Sequence, residues 1–417
     1  MRVFKFGGAS VKDAEGVKNC VSVLNKVGHQ ELIMVVSAMG KMTNKLELVV
    51  NSYFNAKHEL NSILDDVVDF HKTIIADLFP NPSHKVYNDF SILIDELKGF
   101  LSRNKSPNYS FVYDQVVSFG ELLSTTIISN YLLEVNLKND WVDVRTLIKT
   151  DDKYRDAKVD WEATQQNMLS KVNRKSLTIT QGFLGSDANN NTTTLGREGS
   201  DYTAAIFAYC LNATNVTIWK DVDGVLNADP RYFEHAQLLH QISYEEAIEL
   251  AFYGASVIHP KTLQPLQRKE IPLYVKSFLN PEGSGTCVSK GQLLEPFIPC
   301  FIVKKNQILI SLSSLDFSFI VEENISAIFA LLHKYKLKVD VIQNSAISFS
   351  VCVNDIYGNI DKLLHDLRSK YRVTSNSGVS LYTIRHFNET ALTQLIDGKE
   401  VLLKQENRKT IQLITRT

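Results

Sequence analysis

Near the N-terminus a lysine is followed by two glycines, in Lys5-Phe6-Gly7-Gly8-Ala9-Ser10-Val11. A lysine ending a strand is a point charge that can reach phosphate oxygens. Glycines let backbone N–H groups approach such oxygens closely, and a helix starting after them adds positive potential. The order is not that of a Walker A loop, since no GxxxxGK[ST] string is present. A plain strand-to-helix turn with a solvated lysine reads the same way. A second segment, Thr192-Thr193-Thr194-Leu195-Gly196-Arg197-Glu198-Gly199-Ser200-Asp201, sets an arginine between glycines ahead of an expected helix. Its planar guanidinium suits bidentate capture of a carboxylate; in the plainer reading Ser200 or Asp201 caps the helix and Arg197 is solvated. A third, Trp219-Lys220-Asp221-Val222-Asp223-Gly224-Val225-Leu226-Asn227-Ala228-Asp229-Pro230-Arg231, joins a strand end to a glycine turn. That suits a nucleotide at the carboxyl edge of a parallel sheet, or ordinary acidic turn formers. In the fourth, Phe119-Gly120-Glu121-Leu122-Leu123-Ser124, a glutamate opens an expected helix. The helix dipole alone favours it there, and it could equally receive an ammonium.

The elements that must position these residues follow from hydrophobic patterning. Residues 2–6 read as a strand, 13–27 as a helix and 32–36 as a strand buried on both faces, which opens an α/β domain with a mainly parallel sheet. Two long helical stretches, 56–78 and 85–103, are parted by Pro80 and Pro82 and read as an insertion or lid. A helix over 121–134, strands over 141–144 and 177–183, a solvated hairpin over 186–194, a helix over 202–211 and a strand over 216–219 follow. A helix over 244–253 stops at Gly254. Residues 280–296 turn rich in Gly, Pro and Ser, so the domains are expected at 1–295 and 296–417. The second reads β-α-β-β-α-β, the ferredoxin-like order, followed by a short remainder that holds at most a truncated second copy.

Composition narrows the function classes. A net charge of −1 argues against nucleic-acid and membrane-surface partners. No run of about 18 apolar residues and no N-terminal export signal is found. The five cysteines are odd in number, with no CxxC and no histidine at metal-ligand spacing. They read as reduced thiols in a cytoplasmic protein, with no metal ligand set assigned.

Taken in order, the four segments resemble the aspartokinase family. The family pattern Lys-Phe-Gly-Gly-Thr-Ser-Val, Val-Val-Ser-Ala, Gly-Glu-Leu-Leu-Ser, Thr-Thr-Leu-Gly-Arg-Gly-Gly-Ser-Asp and Asp-Val-x-Gly-Val-x-x-x-Asp-Pro-Arg is nearly complete here. So is the segment Tyr253-Gly254-Ala255-Ser256-Val257-Ile258-His259-Pro260-Lys261-Thr262. The resemblance implies a three-layer α/β/α sandwich (the amino-acid kinase fold) with a C-terminal ACT-like regulatory region. It implies transfer of the γ-phosphoryl group of ATP, with Mg²⁺, to the β-carboxylate of L-aspartate, the first step towards lysine, threonine and methionine. It assigns Lys5, Gly7 and Gly8 to the phosphates and places Ser37 beside the transfer site. Thr43 and Glu121 fall to aspartate, Glu121 near its ammonium; Arg197 grips the α-carboxylate, and Asp201 helps place the ammonium. Lys220, Asp221, Leu226, Arg231, Ser256 and Val257 match nucleotide positions. Asp340 and Ser345, in Val339-Asp340-Val341-Ile342-Gln343-Asn344-Ser345, match the strand that contacts a lysine or threonine effector, and a homo-oligomer, dimer or tetramer, is implied.

The departures are specific. Ala9 stands for Thr, Glu198 for Gly, Lys220 for Thr, Leu226 for an aromatic residue and Ser256 for Lys, with Lys220 or Lys261 left to replace the lost cation. About thirty residues follow the first ACT-like unit, where the family usually carries a second.

Overall fold

The computed structural model describes residues 1–255, 258–316 and 318–416. Two compact units emerge: residues 1–225, 238–248 and 257–294 form one, and 226–237, 249–256 and 295–417 the other.

The first unit is built on an eight-stranded sheet, in the order Asp140–Val142, Leu177–Gln181, Leu32–Val36, Arg2–Phe6, Val216–Lys220, Leu273–Ser277, Thr286–Ser289, Gln241–Ser243. Neighbours run parallel except where Thr286–Ser289 meets Leu273–Ser277. Leu32–Val36 and Leu177–Gln181 are buried along their whole length, as strands covered on both faces must be. The register matters for function. Phe6 pairs with Val36 and Trp219, and Val36 with Gln181. The loops that follow therefore leave one edge side by side: Ser37 N–H donates to Phe6 O (3.1 Å) and Gly182 N–H to Val36 O (2.9 Å).

Between the second and third strands come Met42–Asn55, Leu60–Leu78 and Lys85–Arg103. Expected as an insertion or lid, these helices share one continuous hydrophobic cluster with the sheet, in which Leu64, Val67, Ile75, Phe90 and Leu97 join Phe4, Met34 and Val36. They are a wall of the unit.

The next helix differs from expectation. It runs over Tyr109–Glu134, starting at Asn108, whose side chain accepts from Phe111 N–H. Glu121 is thus mid-helix, away from the favourable dipole end. Apolar residues surround this helix on all sides, so no polar stripe marks its period in the sequence. It is long and apolar enough to span a membrane, yet it lies buried in the first unit's core. Gly120 permits the approach: a Cβ there would lie 2.9 Å from Ala38 Cβ.

The second unit carries a six-stranded antiparallel sheet, in the order Lys338–Asn344, Ser348–Asn354, Cys300–Ser313, Arg372–Arg385, Thr410–Arg416, Glu400–Glu406. Glu322–Lys334 and Ile360–Arg368 pack on one half around Ile310, Ile328, Phe349 and Leu363. The two central strands are each 14 residues long, with register shifts between Lys304 and Ile308. Their outer portions join Glu389–Ile396 and the last two strands, so one pair of strands serves both halves of the sheet. Sequence patterning treats strands singly and expects only short ones there, over 307–312 and 379–385.

Candidate active site

Loops at the carboxyl edge of the first sheet surround a cavity of ≈ 470 Å³, within the range typical of small-molecule sites. Lys5, Glu121, Arg197 and Asp201 all line it, as do Ser37, Thr43 and Lys220. Five separate stretches of sequence are therefore brought to one space.

Lys5 Nζ lies 2.6 Å from Asp201 Oδ1, with both side chains largely buried. Among the described residues Asp201 Oδ1 has no aligned hydrogen-bond donor, so this is a contact of opposite charges rather than a directed bond. Gly7 leaves room for the ammonium, since a Cβ there would sit 3.2 Å from Lys5 Nζ. At Gly8 a Cβ would meet Gly40 O at 2.5 Å and Ala38 O at 2.8 Å. Gly8 is thus required by loop-to-loop packing as well as by any phosphate. The helix expected over 13–27 runs Ala14–Val27, capped by the Asp13 side chain, and residues Gly8–Val11 before it form a single 3-10 turn. The first helix turn thus starts several residues beyond Gly7 and Gly8, so the end of its dipole lies past the glycine turn and not within it.

Glu121 is 2% exposed. Its Oε1 accepts from Ala38 N–H at 3.2 Å, and among the described residues Oε2 has no hydrogen-bond partner. Burial pushes its carboxyl up to about 8, with the Ala38 bond and Lys5 pulling the other way. A buried carboxylate on a cavity-lining residue, with one oxygen unpartnered, is suited to meet a cation.

The arginine loop is shaped by its glycines. Gly196 takes φ +79, and a Cβ on Gly199 would strike Phe183 Cδ2 at 2.5 Å. The following helix spans Gly199–Leu211, so Ser200 and Asp201 lie in its first turn and not at its cap. Glu198 holds the N-cap position at φ +52, a left-handed backbone that explains why glycine is usual there. Arg197 is exposed to the cavity mouth.

Three lining residues escaped the sequence reading: Tyr113, Arg155 and Phe183. So did Asp114, which is fully buried and organises the floor. It accepts from Arg155 N–H (3.1 and 3.0 Å), Thr194 N–H (2.8 Å) and Thr194 Oγ1 (2.8 Å). Burial raises it to about 6 against those bonds. A signal existed: Asp114 precedes Glu121 by seven residues in one apolar helix, hence on the same face.

The nucleotide positions divide. Lys220 lines the cavity; Asp221, also in the first unit, is exposed. Leu226 and Arg231 belong to the second unit, where Arg231 is paired with Asp229 at 2.6 Å. Ser256 and Val257 lie outside the described residues. Lys261 is engaged with Asp156 Oδ1 (2.7 Å) and Leu195 O (2.9 Å). In the second unit, Asp340 pairs with Lys304 at 2.8 Å, and Ser345 Oγ lies 2.6 Å from Ser348 Oγ.

Residues 1–277 match the amino acid kinase family. Over 352 residues the chain is 33% identical to lysine-sensitive aspartokinase 3 of Escherichia coli, covering 82% of this chain and 76% of the relative. Its fold matches E. coli aspartokinase III in complex with lysine and aspartate (T-state), with TM-score 0.83 and 28% identity over 99% of this chain and 95% of the other. It also matches the same enzyme in complex with aspartate and ADP (R-state), with TM-score 0.80 and 27% identity over 100% and 96%. With the amino-acid kinase sandwich, the ACT-like sheet and the expected residues around one cavity, the chain belongs to the aspartokinases of the amino acid kinase family.

Proposed function

We infer that this protein transfers the γ-phosphoryl group of ATP to the β-carboxylate of L-aspartate, giving 4-phospho-L-aspartate and ADP, at the entry to lysine and threonine synthesis. The observation that carries the reading is that Lys5 and Arg197, from distant segments of the catalytic sequence, line one cavity with Glu121, whose buried Oε2 has no partner among the described residues. The aspartate and ADP complex of the E. coli relative supports the choice of substrates.

The reaction follows from charge. A β-carboxylate oxygen attacks the γ-phosphorus, and the bond to the β,γ-bridging oxygen breaks, leaving ADP. The attacking carboxylate, a group that ordinarily titrates near pH ~4, is already ionised, so no general base is needed. Rate comes from in-line positioning and from neutralising charge on the moving phosphoryl group. Lys5 supplies the positive charge, with Asp201 fixing its ammonium. Glu121 binds the substrate ammonium, which drives its carboxyl to the ionised form. Arg197 takes the α-carboxylate, and Ser37 and Thr43 complete the acceptor side. Gly7, Gly8, Lys220 and Asp221, all of the first unit, serve the nucleotide. The Mg²⁺ that neutralises the phosphates would be held by them and by water, with Asp201 as the carboxylate at that end of the cavity.

Residues 1–295 are proposed as the catalytic domain of a soluble, cytoplasmic enzyme. Residues 296–417 are proposed as the regulatory one, taking lysine or threonine near Asp340 and Ser345 within a dimer or tetramer. The test is hydroxamate formation from ATP, hydroxylamine and a panel of amino acids, with and without lysine and threonine. Colour with aspartate, lost in Lys5→Ala, is expected; colour with glutamate but not aspartate overturns the substrate.

A further inference from the structure

Arg155 is out of place as a structural residue. Its backbone lies at φ +72, in the left-handed region, which strains a side-chain-bearing residue and persists only where neighbours impose it. Here they do: both oxygens of buried Asp114 accept from its N–H. Glycine would meet that backbone requirement without strain. The arginine side chain nevertheless turns towards the cavity and lies on Tyr113, with the guanidinium carbon 4.1 Å from the ring centre and Tyr109 at 5.7 Å. Stacking of this kind holds a guanidinium flat and leaves its edge available for bidentate bonds.

Two further observations point to a ligand. The turn carrying Arg155 abuts the arginine loop, since a Cβ at Gly196 would sit 3.3 Å from Arg155 O. Arg155 and Arg197 therefore line the same cavity from adjoining loops. The partner of Arg155 in this structure is Glu47, at 3.2 Å, one helical turn beyond Thr43 on Met42–Asn55. Their side chains are 43% and 37% exposed, and an ion pair so open to water is weak. A substrate carboxylate can displace it.

We propose that Arg155 is a second substrate-binding guanidinium, which leaves Glu47 to grip the α-carboxylate of the amino acid together with Arg197. This rests on the aspartate reading above. The two positive charges match one carboxylate with two oxygens, while Glu121 takes the ammonium beside it.

The test separates binding from folding. Arg155→Gly relaxes the backbone, so its melting temperature should equal or exceed that of the parent, while the aspartate KM rises roughly tenfold or more with kcat and the ATP KM little changed. Arg155→Lys should fall between the two. Glu47→Gln removes the competing carboxylate and should lower the aspartate KM below the parent value. The α-amide of aspartate keeps the phosphoryl acceptor but lacks the α-carboxylate, so Arg155→Gly should barely alter its kcat/KM. An unchanged aspartate KM in Arg155→Gly, a parallel fall in melting temperature and kcat, or an equal loss on the α-amide would each overturn the proposal. A parent that phosphorylates no aspartate removes the substrate reading itself, and this proposal with it, before any variant is measured.

Discussion

Each unit of this protein contains a largely buried lysine–aspartate pair of similar geometry. In the first unit Lys5 and Asp201 are 2.6 Å apart, with side chains 12% and 4% exposed; in the second Lys304 and Asp340 are 2.8 Å apart, at 19% and 6%. Their surroundings differ. Lys5 lines a cavity together with Glu121, whose Oε2 is unpartnered among the described residues. Lys304 is packed against Gly254, where a Cβ would meet its Cε at 2.7 Å. Both of its strands are irregular at the contact: a register shift follows Lys304, and another falls between Val339 and Val341, which leaves Asp340 as the unpaired residue. The second pair pins two bulges together. Pair geometry therefore does not mark a catalytic site; uncompensated polar groups around an open volume do.

Lys5→Met and Lys304→Met probe this contrast first. Both leave an aspartate unpaired, but only Lys5→Met should lose turnover, by roughly 10²–10³-fold in kcat, the scale of removing one charge-stabilising group. Equal turnover losses in the two variants would erase the distinction. Next in size is Glu121→Gln, expected to raise the aspartate KM about 10²-fold through loss of a buried charge partner.

The same substitution should stabilise the fold, with a defined pH dependence. The folded Glu121 carboxyl is raised from 4.5 to about 8, so the native state holds a proton that the unfolded state releases across that window. Parent stability falls as pH rises from 4.5 to 8, and the full penalty of the buried charge is present above 8. Melting curves should therefore coincide near the lower limit and favour Glu121→Gln increasingly towards the upper one. By the same sign, the parent's aspartate KM should rise as pH drops below about 8, because the ammonium requires the ionised carboxylate.

For Lys304→Met the expected effect is a loss of about 2 kcal/mol of stability, at the low side for a broken buried pair because the lysine is partly solvated. Effector-free kcat should be retained, and chemical denaturation read alongside the hydroxamate assay checks both. The smallest effect concerns strain at the cavity rim. Glu198→Gly removes a left-handed side-chain residue and should add about 0.5–1 kcal/mol of stability by the same measurement.

How far the sequence carries can be judged from individual residues. Lys5 with Gly7 and Gly8, and Arg197 between its glycines, were legible because each forms a short, continuous string whose chemistry is local to the chain. The parallel sheet was legible from fully apolar strands such as Leu32–Val36. Asp114 was not, because its importance lies in donors from Arg155 and Thr194 that are remote in sequence. The start of its helix was hidden by the absence of a polar face. The long strands Cys300–Ser313 and Arg372–Arg385 were cut short because their turn-like residues, Asn306 at φ +57 and Gly378 at φ +71, mark irregularities inside strands as readily as ends.

By itself the sequence determined the family, the order of the catalytic segments and the charge each would bring, since those reside in residue type and spacing along one chain. The tertiary structure alone decided that Glu121 is buried mid-helix with one oxygen unpartnered, that Lys261 is engaged elsewhere, and that Arg155 turns a strained backbone towards the cavity. Those properties depend on desolvation and on contacts between segments far apart in the chain, which no local pattern encodes.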